Sequence, residues 1–189
     1  MEHLNSYLDN VDCSALAEFC RKEGREAVFH RNEYFGRRGF QSLVLGYIEK
    51  GGVRYAATDD AGRTHTVGFS FEGDFAVDYS SFLRRVPALI DQITLEDTRM
   101  WVITHRQYFD FIDRDYRSCL QGRRITEQLF VTMYDRLLKF YLLTPEQRYV
   151  DLMRHYPYLA EKLTFKEIAS FVGITPEALC RIRRRLLEK

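Results

Sequence analysis

The residues best suited to chemistry lie near the end of the chain, in the segment 164–187, which reads TFKEIASFVGITPEALCRIRRRLL. Glu177 and Arg181 are four residues apart, so on a helix both side chains fall on one face. A carboxylate accepts a hydrogen bond from cytosine N4, and a guanidinium pairs bidentately with guanine. The pattern therefore predicts a helix that reads base edges in the major groove of double-stranded DNA.

The charge distribution supports a polyanionic partner for this segment. The whole chain of 189 residues has a net charge of only +1, but residues 163–189 carry six Lys or Arg against three Glu. Arg183, Arg184 and Arg185 suit phosphate contacts, whose contribution falls as salt rises. The predicted DNA contacts are Thr175, Glu177, Ala178, Arg181, Arg184, Arg185 and Lys166.

The same segment has the features of a helix-turn-helix. Ala169 is small enough for two helices to cross closely, and Gly173 tolerates the positive φ of a tight turn. Thr175 can cap the second helix, with Pro176 at its first position. The predicted shared core is Ile168, Val172, Ile174, Leu179 and Ile182. The alternative is a hairpin whose basic face is merely solvated and which docks a partner protein.

The elements before this motif are of two kinds. Residues 4–23 have apolar side chains at helical spacing and predict one amphipathic helix, with a potential break near Asp12. From Ala27 to Ile103 the chain is β-rich and punctuated by glycines, which predicts an antiparallel barrel or sandwich. The predicted strands are 27–30, 42–49, 53–58, 64–71 and 98–103, with the clearest hairpin over 52–68.

A long helix is predicted over residues 116–143, and its apolar residues form two stripes. One is Ile125, Leu129, Met133, Leu137 and Phe140; the other is Phe130, Tyr134, Leu138 and Tyr141. A helix that is apolar over so wide an arc needs two surfaces to cover it. The barrel can supply one, and the same helix of a second subunit the other, so we assign the first stripe to a homodimer interface. The alternative is a central core helix in a monomer.

The order of these parts resembles the Crp/Fnr family of bacterial transcription regulators, which includes the catabolite activator protein. The most specific likeness is Thr175-Pro176-Glu177-Ala178-Leu179-Cys180-Arg181, which is similar to the family's recognition-helix opening Ser-Arg-Glu-Thr-Val-Gly-Arg. Glu177 and Arg181 fall on its base-reading positions, whereas Pro176 replaces an Arg. The resemblance implies an α+β fold: an N-terminal antiparallel β-barrel of the jelly-roll type with flanking helices, a long dimerisation helix and a small all-α helix-turn-helix domain.

The resemblance also implies an effector site in the barrel. Gly73-Asp74-Phe75 and Phe82 are similar to the family's Gly-Asp-Phe-x-Gly-Glu-x-x-x-Phe, but Val77-Asp78 replaces Gly-Glu, and the family's Arg-Ser-Ala corresponds to Leu89-Ile90-Asp91. The cation that would hold a cyclic phosphate is therefore missing, so we expect an effector other than cyclic AMP. The candidate effector residues are Gly73, Asp74, Phe75, Asp78, Arg84, Arg85, Met133 and Tyr134.

We accordingly expect three parts: an effector-sensing domain over 1–115, a dimerisation helix over 116–143 and a DNA-binding domain over 144–189. RNA polymerase is a candidate further partner. Two alternatives remain open, an effector-sensing module that docks a protein through its C-terminal hairpin, and a regulator with no effector.

Other classes lack support in the sequence. None of the common hydrolase, metalloprotease or nucleotide-binding motifs occurs, so we expect no enzyme. The four cysteines have no short C-x-x-C spacing and the five histidines form no recognisable ligand set, so we expect no metal and no cofactor. The start of the sequence lacks a signal-peptide pattern and no apolar run approaches the roughly 20 residues of a membrane span. We therefore expect a cytoplasmic protein.

Overall fold

The computed structural model describes residues 3–188, and within them helices flank two β-sheets. The strands are β1 (Arg25–Phe29), β2 (Tyr34–Gly36), β3 (Val44–Lys50), β4 (Gly52–Thr58), β5 (Thr64–Phe71), β6 (Phe75–Ala76), β7 (Asp91–Thr94) and β8 (Thr98–Thr104). The helices are α1 (Tyr7–Asn10), α2 (Ser14–Glu23), α3 (Tyr79–Arg84), α4 (His105–Ile112), α5 (Tyr116–Leu142), α6 (Pro145–His155), α7 (Leu159–Lys162), α8 (Phe165–Phe171) and α9 (Pro176–Leu187).

Every strand pair is antiparallel, and the strands form two four-stranded sheets in the orders β1-β8-β3-β6 and β2-β7-β4-β5. The predicted α+β class is confirmed, although the strands form two sheets and not one closed barrel. The predicted β4–β5 hairpin is also confirmed. A bulge leaves Val67 as the extra residue, since Tyr55 pairs with Gly68 while Ala56 pairs with Thr66.

The first core lies where α2, α4 and the start of α5 pack on the sheets. Leu16, Phe82, Ile103 and Phe111 are each no more than 2% exposed and belong to one apolar cluster. Ile125 of α5 is buried in the same cluster, so the long helix is anchored to the β-domain of its own chain.

A second core joins the C-terminal helices to β5. Leu4 and Phe69 are buried together with Leu159, Ile168 and Leu179. Because apolar groups from both ends of the chain and from a strand share one cluster, the helix-turn-helix region is packed against the β-domain.

The element boundaries show which sequence signals are strong. The predicted break near Asp12 is confirmed, since α1 ends at Asn10 and α2 begins at Ser14. Several short elements have no counterpart among the predictions: β2, β6, β7, α3 and α7, each of two to six residues. Such short segments hold too few residues for a period of 2 or 3.6 to be recognised.

Candidate nucleic-acid interface

The first helix of the motif, α8, starts and ends as its sequence predicts. The Thr164 hydroxyl accepts from the Glu167 backbone N–H while the Glu167 carboxylate accepts from that of Thr164, which forms a capping box. Ala169 is fully buried where the two helices meet. The turn that follows has Gly173 at φ +78°, a conformation that L side chains rarely adopt. These features fix the angle between α8 and α9.

The second helix, α9, places its apolar side inward. Thr175 caps it by accepting from the Ala178 N–H at 3.2 Å, and Pro176 occupies its first turn. Leu179 and Ile182 are 0% and 5% exposed. Since α9 is anchored by this inner side, the direction of its outer side is determined.

The outer side carries the predicted base-reading pair. Glu177, Arg181 and Arg184 are all exposed, and their spacing of four and three residues places them in one line along α9. Hydrogen bonds from its own backbone N–H and from Thr175 lower the pKa of Glu177, which favours the ionised carboxylate, the form that accepts hydrogen bonds. Within residues 3–188 no carboxylate oxygen lies within 4.0 Å of the Arg181 guanidinium, although Arg181 attracts the Glu177 carboxylate through space. Both side chains are therefore available to a ligand.

The remaining predicted contacts differ in availability. Arg185 pairs with Glu146 of α6 at 3.0 Å, and Arg184 lies 3.9 Å from Glu188 in the last turn. Ala178 is half-buried, whereas Thr175 and Lys166 are exposed. The structure thus brings together Glu177, Arg181 and Arg184, with Lys166 on the neighbouring helix and Arg185 turned toward α6.

The helix-turn-helix is seated on the outer edge of β5. The Thr66 N–H donates to the Ser170 hydroxyl at 2.8 Å, and the rings of Phe69 and Phe171 lie 5.2 Å apart in an edge-on contact. Because β5 is the last strand of its sheet, α8 satisfies a backbone donor that no neighbouring strand reaches.

Arg148 of α6 connects the helix-turn-helix to the long helix. Its Nη1 donates to the carbonyls of Leu143 and Phe140 at 2.8 and 3.2 Å, and its Nε donates to that of Val172 at 3.0 Å. The carbonyls lie at the C-terminal ends of α5 and α8, where helix backbones lack internal partners and carry negative partial charge. One guanidinium thus joins the end of α5 to the turn before α9.

The predicted dimer stripe of α5 packs on its own chain only in its first half, since Met133, Leu137 and Phe140 are 47%, 52% and 52% exposed. Ile125 is 8% exposed and Leu129 packs against the first core. Met133, Leu137 and Phe140 line a cleft facing the C-terminal helices. The second stripe is exposed along its whole length, with Phe130 at 70%, Tyr134 at 51%, Leu138 at 36% and Tyr141 at 81%. Each of its members is one residue further along, which is about 100° around the helix.

The predicted effector residues in the β-domain are mostly engaged in structural bonds. The Asp74 carboxylate is buried and accepts from the Tyr7 hydroxyl, the Asn5 amide and the Phe75 N–H. Asp78 caps α3 through Ser81 and also accepts from the Leu89 N–H at 2.9 Å.

The other predicted effector residues are not gathered around one pocket. Gly73 is in a turn at φ +85°, and Phe75 belongs to the first core. Arg84 and Arg85 lie on the surface at the end of α3. Met133 lines the cleft described above, while Tyr134 points outward on α5.

Arg136 and Arg148, which donate to backbone carbonyls of Leu4 and of the ends of α5 and α8, were not singled out by sequence reasoning. An arginine inside a helical pattern looks like any solvated cation, and only the tertiary arrangement shows which carbonyls it contacts. Within residues 3–188 there is no group of three potential metal ligands, and no helix combines the length and apolar character needed to span a bilayer.

Comparison with known proteins shows the fold. No family model and no curated protein matches the chain by sequence. Among solved structures, FixK2 from Bradyrhizobium japonicum has a TM-score of 0.74 at 15% identity, covering 87% of this chain and 85% of that one. The c-di-GMP responsive global regulator CLP of Xanthomonas campestris has a TM-score of 0.71 at 15% identity, covering 94% and 92%.

A transcriptional regulator of the crp/fnr family from Eubacterium rectale has a TM-score of 0.68 at 14% identity, covering 97% of this chain and 87% of that one. At such low identity the likeness establishes the architecture, and the chain therefore has the fold of Crp/Fnr regulators over nearly its whole length.

Proposed function

We propose that this protein is a sequence-specific DNA-binding transcription regulator of the Crp/Fnr type, which binds double-stranded DNA through α9. The observation that carries the proposal is the exposed line of Glu177, Arg181 and Arg184 on a helix whose opposite side is buried. Such a helix fits the major groove, where its first turns meet base edges and its later cations meet phosphates. The shared fold of the regulators named above supports the same function.

The active form in this proposal is a homodimer. We assign the contact between two copies of α5 to the second stripe, Phe130, Tyr134, Leu138 and Tyr141. This stripe is exposed along its whole length, and an apolar helix face of this length requires another surface to cover it. Two recognition helices related by a two-fold axis require half-sites roughly 34 Å apart. Residues 1–115 would then sense an effector other than cyclic AMP, 116–143 would dimerise and 144–189 would bind DNA.

Further partners follow from this assignment. A regulator that binds DNA beside a promoter works in the cytoplasm and has RNA polymerase as a neighbour, and it needs no catalytic chemistry of its own. The proposal therefore includes a non-enzymatic, cytoplasmic protein.

The test is the affinity of Arg181→Ala for an operator obtained by in vitro selection with the wild-type protein. Loss of a bidentate guanine contact should weaken operator binding by about 1–3 kcal/mol and leave binding to random DNA nearly unchanged. Fluorescence anisotropy over a salt series measures both affinities.

The matched control is Arg106→Ala, since Arg106 is an exposed arginine on α4 whose one ion pair within residues 3–188 is with Asp110 at 3.7 Å. It should leave both affinities unchanged. If no DNA sequence is enriched, or if Arg181→Ala binds its operator as wild type does, base reading by α9 is refuted and a hairpin that docks a protein takes its place.

A further inference from the structure

A cleft of about 650 Å³ separates the long helix from the helix-turn-helix. One wall is α5, a second is β5 near its bulge, and the third is formed by α6 and the end of α8. Its volume lies within the range of small-molecule sites, and it joins the parts whose relative position determines how α9 meets DNA.

The walls of the cleft are mainly apolar. Aromatic rings line two of them, Phe140 from α5 and Phe171 from α8. Aliphatic side chains complete the lining, with Met133 and Leu137 on α5 and Val67 at the bulge of β5. Such a surface suits a flat or branched apolar body.

Two arginines line the cleft, and Asp74 attracts one of them, Arg136, through space. Arg136 donates to Leu4 O at 2.7 Å and to the amide oxygen of Asn5 at 3.3 Å, and its guanidinium lies over the Phe171 ring at 5.6 Å. Arg148 donates only to backbone carbonyls, as described above. In the described part of the chain no carboxylate oxygen lies within 4.0 Å of either guanidinium.

Among residues 3–188, the other charged groups of the cleft have ion-pair partners of their own, with the exception of Asp135. Lys139 is paired with Asp151 at 2.6 Å, and His65 contacts Asp59 at 3.1 Å. Asp135 is exposed at the rim. The balance favours a single negative charge on the ligand, because Asp135 at the rim and the through-space attraction of Asp74 offset part of the charge of the two guanidiniums.

We propose that this cleft binds a small amphipathic monocarboxylate, with its charge toward Arg136 or Arg148 and its apolar body between Phe140 and Phe171. A ligand there touches α5 and α8 at once, so it favours the arrangement in which both walls are in place. As an effector site it rests on the proposed function, whereas binding itself does not. The site differs from the effector site expected in the β-domain, because of the effector residues predicted from sequence only Met133, on α5, lines it.

The experiment titrates the full chain, without DNA, with benzoate, 4-phenylbutyrate and 2-naphthoate, and with the neutral amide of each, by calorimetry. Each carboxylate that binds should do so about tenfold more tightly than its amide, since hydrogen bonds to a charged group are the stronger ones. Because DNA is absent, failure here leaves base reading by α9 untouched, and failure of base reading leaves this result untouched.

Two substitutions locate the site. Met133→Trp and Leu137→Trp each fill the cleft from α5 at half-exposed positions, and either should abolish binding. Tyr116→Trp adds the same side chain at an 80% exposed position of the same helix and should leave binding unchanged. Circular dichroism and thermal unfolding establish which variants are folded. Absence of binding by all three carboxylates at millimolar concentration, equal affinity for acid and amide, or unchanged affinity in a folded cleft-filling variant overturns the proposal.

Discussion

At the scale of single residues, Asp74 shows that a residue in a ligand-binding motif can instead stabilise the fold of its own chain. Its position in Gly73-Asp74-Phe75 suggests a ligand contact, yet three donors of the chain itself occupy its carboxylate. The sequence could predict that Asp74 matters but not what it binds, because its partners Asn5 and Tyr7 are more than 60 residues away. Glu177 and Arg181 were predictable because their spacing within one helix determines their common face.

Asp74 also makes stability depend on pH. Burial raises its pKa to about 7, with Asn5, the Phe75 N–H, Arg136 and His3 acting in the opposite direction. An unfolded Asp loses its proton near pH 4, so between roughly pH 4 and 7 the folded chain binds more protons than the unfolded one. The free energy of unfolding should therefore fall as pH rises through this window, by at most about 1.4 kcal/mol per pH unit from this group.

Urea unfolding of wild type and Asp74→Asn at a series of pH values measures the effect. The difference between the two proteins should change steadily between pH 4 and 7 and level off above it. A difference that is constant with pH would show that Asp74 titrates as an exposed carboxyl.

At the scale of elements, the long helix shows where periodicity stops being informative. Its bounds were predicted within one residue at the C-terminal end, and both apolar stripes were recognised. Which stripe is exposed along its whole length depends on the burial of Ile125 in the cluster that also holds Phe111 and Ile103, and the spacing of apolar residues does not predict this tertiary packing.

The outward stripe predicts the oligomeric state. Tyr134→Glu with Leu138→Glu should raise the dimer dissociation constant by about 30-fold or more, since charges replace buried apolar side chains worth roughly 1–2 kcal/mol each. Sedimentation equilibrium measures this constant. Met133→Glu with Leu137→Glu, at half-exposed positions of the stripe that lines the cleft, should leave it unchanged. The reverse result would assign the dimer contact to the stripe chosen from sequence.

Arg148 is predicted to hold two helix ends together. Arg148→Ala leaves the carbonyls of Val172, Phe140 and Leu143 without this donor, and we expect a loss of about 1–3 kcal/mol in stability together with faster proteolysis near Leu143. Arg148→Lys should restore only part of it, because an ammonium lacks the planar fork. Arg154→Ala, an exposed arginine on the same helix, serves as the control and should behave as wild type.

At the scale of the whole molecule, the order of the parts along the chain was predictable, but the way they pack against one another was not. A change from β-rich to helical texture separates the parts along the chain, and local caps such as Thr164 and Thr175 set the helix starts. The packing of α8 against β5 leaves no such signal, since Ser170 and Phe171 look like ordinary residues of a helical hairpin.

This seating predicts one cooperative unfolding transition. The second core includes Phe69 of β5 and Ile168 of α8, so loss of either part exposes apolar surface of the other. Thermal melting followed by the fluorescence of the single tryptophan, Trp101 on β8, should coincide with melting followed by helical circular dichroism. Phe171→Ala should separate the two curves. Two distinct transitions in wild type would instead indicate independent domains.

The hydrogen bond from the Thr66 N–H to Ser170 has a consequence for colloidal behaviour. An uncovered edge strand is a template onto which strands of other molecules can add. If the helix-turn-helix swings away from β5 during regulation, that template is open for as long as the swing lasts. Ser170→Ala, which removes the acceptor and leaves α8 a good helix former, should therefore favour self-association under conditions in which the native chain stays dispersed.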